Sequence, residues 1–169
     1  MLVEDGTGVP NATSYVNLVF ADDYFAKKGV SVWATLTDER KEGLLESGTR
    51  YCDSKYGSKL QGVPLNLEQG LEFPRHNLTD RYSRPITGVP LDVKIAACEY
   101  ALLDYNGQLF VSGTSVEPGL KSKTTKVGPI TTAKEYQDSY APQTYVTHSY
   151  PDSLMATYVQ KKSGGTIRN

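Results

Sequence analysis

The chain has 169 residues, a net charge of −1, 38% hydrophobic residues and a mean hydropathy of −0.42. This length suits one domain with an appendage, and it is enough to bury a core without disulfide or metal support. The net charge does not indicate a nucleic-acid-binding protein, and the low apolar content predicts that part of the chain lies outside the core.

Charge is unevenly distributed along the chain. Residues 1–120 carry 16 acidic and 11 basic side chains, whereas residues 121–169 carry 3 acidic and 7 basic ones. This asymmetry fits a tail that docks on an acidic partner or touches phosphate, and it fits a solvated tail equally well. We expect no signal peptide, because residues 1–8 are acidic and lack an apolar segment. No apolar run is long enough to predict a membrane span.

Two helices are predicted in the first third of the chain. Asn17 is a suitable N-cap for a helix over residues 18–28, and Thr37 caps a second helix that ends near Tyr56. The second helix carries a stripe that is apolar except for its last member: Leu44, Leu45, Gly48, Tyr51, Cys52 and Lys55. We expect Gly48 to mark the close approach of another helix, although a glycine that is merely tolerated also fits.

A third, short helix is predicted from Asn66. Gln69 lies three residues later and can complete a reciprocal cap with Asn66. The helix should end at Phe73, because a residue that precedes a proline is pushed out of the helical region. The following residues, 75–89, are rich in proline, glycine and polar side chains, which predicts an ordered loop.

The longest apolar helix is predicted over residues 91–105, directly after a proline. Its alanine-rich face indicates tight packing at the centre of a bundle. Beyond it, residues 121–126 and 130–136 are rich in threonine and lysine and flank a Gly-Pro turn, which predicts two strands of an exposed hairpin. Residues 153–159 can form one last short helix.

These elements predict a mainly α fold: a small bundle of about four helices with a β-hairpin and an extended C-terminal arm. We divide the chain into a helical body over residues 1–110 and a hairpin with a docking arm over residues 111–169. Cys52 and Cys98 each lie in a helical, apolar context, where a free cysteine behaves as a small hydrophobic residue. A disulfide between them is therefore not expected.

The residues indicate no enzyme. The two histidines, His76 and His148, have no nearby Cys or His partner, so we expect no metal site. Residues 6–8, Gly-Thr-Gly, lack the Gly-Lys-Ser/Thr ending of a phosphate loop, and no nucleophile elbow is present. Carboxylates on the helices lie on polar faces, where solvation is the expectation. No cofactor is predicted.

The tail combines tyrosines with basic residues. Five of the 12 tyrosines lie there: Tyr136, Tyr140, Tyr145, Tyr150 and Tyr158. Their basic neighbours are Lys121, Lys123, Lys126, Lys134, Lys161, Lys162 and Arg168. Tyrosine gives a large contact area with a polar tip, which favours a protein-docking arm. A single-stranded nucleic-acid surface, with bases stacked on tyrosine, is the second hypothesis. A packed or loosely ordered tail is the third.

A family resemblance is carried by an ordered set of segments over residues 3–130: VEDGTGVPNATSYV, ADDYFAKKG, WATLTDERKEGLL, YCDSKYGSKLQG, EQGLEFPR, VPLDVKIAACEYAL and KVGPI. In these segments the chain resembles tailed-phage proteins often labelled DnaT-like single-stranded-DNA-binding proteins. It is also similar in length and helical layout to phage head–tail connector adaptors. Residues 131–169 match only loosely.

The resemblance implies a structural virion protein. Such an adaptor would form a homo-oligomeric ring, a dodecamer, beneath the portal protein, join the capsid to a tail or nozzle protein, and line the channel for genomic double-stranded DNA. It would assemble in the host cytoplasm and reside at the head–tail junction, with no membrane contact. The DnaT-like label implies instead a single-stranded-DNA-binding protein of phage replication. The acidic body argues against that alternative, because dedicated single-strand binders normally show a basic groove.

We therefore predict two sets of contact residues. The portal-docking arm would use Tyr145, Tyr150, Tyr158, Lys161, Lys162 and Arg168. The hairpin interface would use Lys121, Lys123, Lys126 and Lys134. Both sets rest on the aromatic and basic spacing of the least core-like part of the chain.

Overall fold

The computed structural model describes the side chains and backbone of residues 1–110 and 145–160, and the backbone alone of residues 122–127 and 130–135. The chain divides into two compact units. The first contains residues 1–109 together with the segment that begins at residue 147, and the second contains residues 110–146.

The described part of the chain is mainly helical. Its α-helices are α1 (Leu18–Lys28), α2 (Asp38–Tyr56), α3 (Leu91–Tyr105) and α4 (Ser149–Met155). Short 3-10 helices span Ser31–Thr35, Gly57–Lys59 and Ala156–Tyr158. The strand pairs are β1 (Val63–Pro64) with β2 (Arg75–His76), and β3 (Ser122–Val127) with β4 (Ile130–Glu135). The predicted fold class, about four helices with a β-hairpin, is confirmed.

The starts of α1 and α2 follow the predicted caps. The Asn17 Oδ1 atom accepts the Phe20 N–H at 2.8 Å, and the Thr37 Oγ1 atom accepts the Arg40 N–H at 3.3 Å. Gly29 ends α1 with a φ of 78°, a left-handed conformation that glycine adopts without steric cost. Both helices therefore begin where a side chain satisfies an otherwise unpaired backbone donor.

The core of the first unit is the contact between α2 and α3. At Gly48 a Cβ atom would lie 2.5 Å from the Ala97 carbonyl oxygen and 2.7 Å from the Ala101 nitrogen, so only glycine fits. The predicted close approach at Gly48 is confirmed. All six members of the predicted α2 stripe are buried, including Lys55. The two cysteines are free and buried, as expected of small hydrophobic residues.

Two carboxylates attach α1 to its neighbours. Asp22 accepts the Trp33 Nε1–H at 2.8 Å, which holds the first 3-10 helix against α1. Glu99, on α3, accepts hydrogen bonds from the Tyr24 hydroxyl and the Lys28 ammonium group. Both acids bond to donors on other elements; Glu99 does so at 9% exposure, whereas Asp22 is 47% exposed and also stays in contact with solvent.

The predicted short helix from Asn66 is wrong: the segment between β1 and β2 is a series of turns. The Asn66 N–H does donate to the Gln69 Oε1 atom at 2.9 Å, as a reciprocal cap requires. However, the Asn66 side-chain amide donates to the Thr7 carbonyl oxygen at 2.8 Å. Gly70 also packs on the N-terminal loop, where a Cβ atom would lie 2.6 Å from the Ala12 nitrogen. These long-range contacts replace the helix.

The second unit contains the β3–β4 hairpin. The two strands pair antiparallel, with Ser122 opposite Glu135 at one end and Val127 opposite Ile130 at the other. Residues 128 and 129, which connect the strands, lie outside the described residues. The predicted hairpin is confirmed, and each observed strand end lies within one residue of its prediction.

The last helix begins earlier than predicted. It starts at Ser149 rather than at Ser153, and it continues as a 3-10 helix to Tyr158. Pro151 lies in its first turn, where the missing N–H of a proline costs no hydrogen bond. The predicted start was wrong because a proline is tolerated inside the first turn of a helix as well as in front of it.

Candidate functional site

The last described segment is tied to the body by a half-buried ion pair. The Lys55 Nζ atom lies 2.7 Å and 2.8 Å from the two carboxylate oxygens of Asp152, and the Tyr100 hydroxyl donates to Asp152 at 2.6 Å. The His148 N–H also donates to this carboxylate, at 2.9 Å. Burial raises the pKa of Asp152, but the bonds from Lys55 and Tyr100 outweigh it, so its pKa lies below the ordinary value.

Apolar contacts extend this attachment along the segment. Met155 is fully buried, and its Sδ atom lies 3.6 Å from the Cys52 Sγ atom. Tyr158 is 4% exposed, and its hydroxyl donates to Asp92 at 3.0 Å. The segment therefore belongs to the core of the first unit, where burial of large side chains supplies most of the stability.

The predicted arm residues have different environments. Tyr150 is 50% exposed, and its ring centroid lies 5.7 Å from the Lys28 Nζ atom. Tyr145 is half-buried, and Tyr158 is a core residue. Lys161, Lys162 and Arg168 lie outside the described residues.

The hairpin residues have no side-chain description. Lys123 and Lys126 lie on β3, and Lys134 lies on β4 directly opposite Lys123. Lys121 lies outside the described residues. The predicted hairpin interface stays a prediction.

A buried acid lies beside a cleft on the opposite edge of α2. The Tyr15 hydroxyl donates to the Asp53 Oδ1 atom at 2.5 Å, and the Glu72 N–H donates to its Oδ2 atom at 3.1 Å. Burial raises the pKa of Asp53 to about 7. The cleft has a volume of about 480 Å³. A second acid, Glu72, also lines this cleft, and its charge raises the pKa of Asp53 further. The bond from the Glu72 N–H to Asp53 holds this part of the backbone against α2.

A tight loop between Thr79 and Pro85 is organised by one carboxylate. Asp80 Oδ1 accepts the backbone N–H groups of Tyr82 and Arg84, at 2.8 Å and 2.9 Å. The Arg84 Nε–H donates to the Oδ2 atom at 2.6 Å. The Arg84 backbone bond and the guanidinium together lower the pKa of Asp80, although slight burial opposes them. Asp80 therefore stays ionised and holds the loop closed.

This loop presents a cationic and aromatic surface. Tyr82 is 67% exposed, and the guanidinium carbons of Arg81 and Arg84 each lie 5.2 Å from its ring centroid. Arg81 forms no ion pair with any described residue. We name residues 79–85, which carry Arg81, Tyr82 and Arg84, the Arg-Tyr-Arg loop. It differs from the buried charges of the body, such as Lys55 and Glu99, which bond to other elements.

Residues 1–110 and 145–160 contain no group of three or more His, Cys, Asp or Glu side chains arranged to hold a metal ion. Of the helices in the part of the chain that the structure describes, none combines the length and apolar character that crossing a bilayer requires.

Sequence reasoning missed both charged sites. The polar end of the α2 stripe was the available signal for the Lys55–Asp152 pair, because a lysine in an apolar stripe needs a buried partner. The Arg-Tyr-Arg loop lay within the predicted ordered loop, but spacing alone gives no sign that its side chains gather at one exposed point.

The chain matches a known protein family. Residues 1–169 match the family described as "Putative DnaT-like ssDNA binding protein". No curated protein and no solved structure matches the chain.

Proposed function

We propose that this protein, which belongs to the family of DnaT-like single-stranded-DNA-binding proteins, itself binds single-stranded DNA. The observation that carries the proposal is the family match over the whole chain. The exposed Arg-Tyr-Arg loop supports it, because aromatic rings stack on bases and arginines meet phosphates.

The distribution of charge limits where DNA can bind. Residues 1–120 carry more acidic than basic side chains, so most of the body repels a phosphate backbone. We expect binding to be confined to the loop and to the basic residues after position 120. Such a small footprint predicts moderate affinity that falls with rising salt concentration.

Fluorescence anisotropy with labelled single-stranded and double-stranded oligonucleotides across a salt series tests this function. We expect tighter binding of the single strand, with a logarithmic salt slope of about −0.7 for each phosphate contacted. Absence of single-stranded DNA binding at low salt concentration would contradict the proposed function.

We further propose a second function, that of a head–tail connector adaptor in a tailed-phage virion. The similarity to such proteins in length and helical layout favours it, and so does the acidic body, because a channel wall that held DNA tightly would impede its passage. In this role, copies of the chain would form a ring, a dodecamer, in the virion. The ring would contact the portal protein and a tail or nozzle protein, surround genomic double-stranded DNA, and assemble in the host cytoplasm.

Exposed apolar side chains support a role in assembly. Leu67 is fully exposed, Val19 is 77% exposed and Leu91 is 61% exposed. Single exposed apolar residues are common on monomers, but contact with neighbouring copies would remove all three from water. A ring therefore predicts that Leu67→Asp and Val19→Asp lower the oligomer size measured by light scattering.

Electron microscopy of the purified protein with and without portal rings tests the adaptor function. The arm is best tested by removing residues 161–169 and, separately, by Tyr150→Ala, because Met155 and Tyr158 are core residues whose loss would unfold the body. Normal portal binding by both variants would contradict the predicted arm. No ring with or without portal would contradict the adaptor function itself.

A further inference from the structure

The Arg-Tyr-Arg loop is held in shape by hydrogen bonds, and its Tyr82 and Arg84 side chains are exposed to solvent. Thr79 and Pro85 pair across its base, and the Asp80 N–H donates to the Arg84 carbonyl oxygen at 3.0 Å. These backbone contacts close the base of the loop, and the bonds to the Asp80 carboxylate hold the backbone of Tyr82 and Arg84 above it. A side chain on such a loop loses little further freedom when it binds a partner, which favours affinity.

The loop carries more cationic and aromatic side chains than are needed to hold its own shape. Arg84 is 72% exposed even though it pairs with Asp80. Arg81 makes no ion pair with the described residues, and its contact with the Tyr82 ring contributes little at an exposed site. Two guanidinium groups and one exposed ring are therefore available to a partner at one point.

A cleft opens beside the base of the loop. It has a volume of about 490 Å³, and its lining includes Asn77, Thr79 and Ile86. This volume lies within the range of small-ligand sites, and the lining mixes polar and apolar groups as a nucleobase requires. The cleft and the loop share Thr79 and Pro85, so a ligand on one is next to the other.

We infer that this loop is the place where a single strand of nucleic acid is held, with one base stacked on Tyr82 and its flanking phosphates bound by Arg81 and Arg84. The inference rests on the proposed binding of single-stranded DNA and assigns residues to it. Charge complementarity favours this occupant over an apolar protein segment, because both available cations suit phosphate and the ring suits any base.

Anisotropy with a labelled oligothymidylate of about 20 nucleotides tests the assignment. We compare the natural protein with Tyr82→Ala, Tyr82→Phe and the double variant Arg81→Ala/Arg84→Ala. The matched control is Lys27→Ala/Arg40→Ala, which removes two exposed cations elsewhere on the body. Thermal unfolding of every variant checks that the fold is retained.

The expected results differ for the ring and for the charges. Tyr82→Ala weakens binding about tenfold or more, whereas Tyr82→Phe stays within about twofold because it keeps the stacking surface. The double arginine variant reduces the magnitude of the salt slope by about 1.4, and the control variant leaves affinity within about threefold.

A tryptophan probe reports on the loop directly. The natural Trp33 is only 2% exposed, so bound DNA should have little effect on its fluorescence. In the Tyr82→Trp variant, any change in tryptophan fluorescence on DNA addition therefore comes mainly from the new, exposed indole. Stacking of a base should quench it as the oligonucleotide is added. An oligonucleotide of abasic residues should bind more weakly and leave the fluorescence unchanged.

Three outcomes overturn the assignment, and they are distinguishable. Loop variants that bind like the control, while the natural protein binds, refute the loop but leave DNA binding intact. Absence of binding by the natural protein refutes the proposed function and the loop with it. Loop variants that lose self-association and retain DNA affinity identify the loop as a contact between copies of this chain.

Discussion

The Lys55–Asp152 pair and the Arg-Tyr-Arg loop use the same chemistry in opposite environments. In each, one aspartate bonds to one cation and accepts backbone N–H groups, one at Asp152 and two at Asp80. The side chains of Lys55 and Asp152 are 9% and 17% exposed, so that pair joins two segments inside the unit. In the loop, the Asp80 side chain is 19% exposed, much like Asp152, but its cation Arg84 is 72% exposed, so the aspartate serves to present groups outward.

The difference separates charges that hold the fold together from charges that can act on a partner. Within the described residues, α1, α2 and the last segment are cross-linked by acids that bond across elements. Such groups cannot turn to a ligand without a loss of folding free energy. The candidates for binding are therefore exposed groups, and the loop differs from other exposed cations of the body because it gathers two guanidinium groups and a ring at one point.

Breaking the internal pair should have the largest effect. Lys55→Ala leaves the Asp152 carboxylate half-buried with no cation, and we expect a loss of about 3 kcal/mol in the free energy of unfolding. Urea denaturation measures it. Lys27→Ala is the control, because its pair with Asp23 has exposed fractions of 76% and 60% and should contribute less than about 0.5 kcal/mol. Equal losses in the two variants would contradict the distinction.

The packing that supports the pair can be tested at Gly48. Gly48→Ala places a Cβ atom 2.5 Å from the Ala97 carbonyl oxygen, so α2 and α3 must move apart at a cost of about 2 kcal/mol. Gly43→Ala is the matched control in the same helix, since its Cβ atom meets nothing within 4 Å. The control should gain about 0.5 to 1 kcal/mol through helix propensity. A stabilised Gly48→Ala variant would show that the helices adapt freely.

Titration of Asp53 gives a smaller effect of known sign. Its pKa is raised to about 7 by burial, so the folded protein holds a proton that the unfolded chain releases near pH 4. The stabilisation is present in full below pH 4 and is lost as the pH rises through 7. Between pH 6 and pH 8 the loss is about 1.4 kcal/mol.

Asp53→Asn should remove this pH dependence. The free energy of unfolding, measured by urea denaturation from pH 6 to pH 8, should then fall less steeply than in the natural protein. Asp152 gives the opposite sign, because its lowered pKa adds stability that is lost only in acid. A variant whose profile runs parallel to that of the natural protein would exclude Asp53 as the titrating group.

Local rules predicted most of the helical body. Asn17 and Thr37 mark helix starts because a cap is a contact within three residues, and Gly48 marks a helix contact because glycine has a cost inside a helix. Reliance on local contacts also explains why the predicted helix at Asn66 was wrong. Its cap is also local, but the Asn66 side chain bonds to the N-terminal loop, almost 60 residues away in sequence.

The candidate sites were less predictable than the fold. The tyrosine pattern of the tail did not separate Tyr158, which bonds to Asp92 in the core, from Tyr150, which is half-exposed. Burial depends on which residues meet in space, and a single sequence does not contain those pairings. The loop was missed because its three side chains gather around a turn that only the Asp80 hydrogen bonds define.

We expect the smallest effect on stability from Asp80→Ala. The same variant is also the sharpest test of the loop. The Asp80 side chain is 19% exposed, but its side-chain hydrogen bonds stay within the loop itself, so we expect a loss of about 1 kcal/mol in the free energy of unfolding. Removing a negative charge beside two arginines should by electrostatics alone tighten DNA binding. We expect weaker binding instead, because the loop loses the bonds that orient Tyr82 and Arg84.

Asp23→Ala is the matched control for the direction of the change in DNA affinity. It removes an exposed carboxylate from α1, where no DNA contact is proposed, and it should leave affinity unchanged or slightly increased. Anisotropy with the same oligothymidylate compares the two variants at one salt concentration. If Asp80→Ala tightens binding as much as Asp23→Ala does, charge alone accounts for the loop and its shape has no role. If Asp80→Ala weakens binding while Asp23→Ala does not, the aspartate acts by holding the arginines and the ring in position.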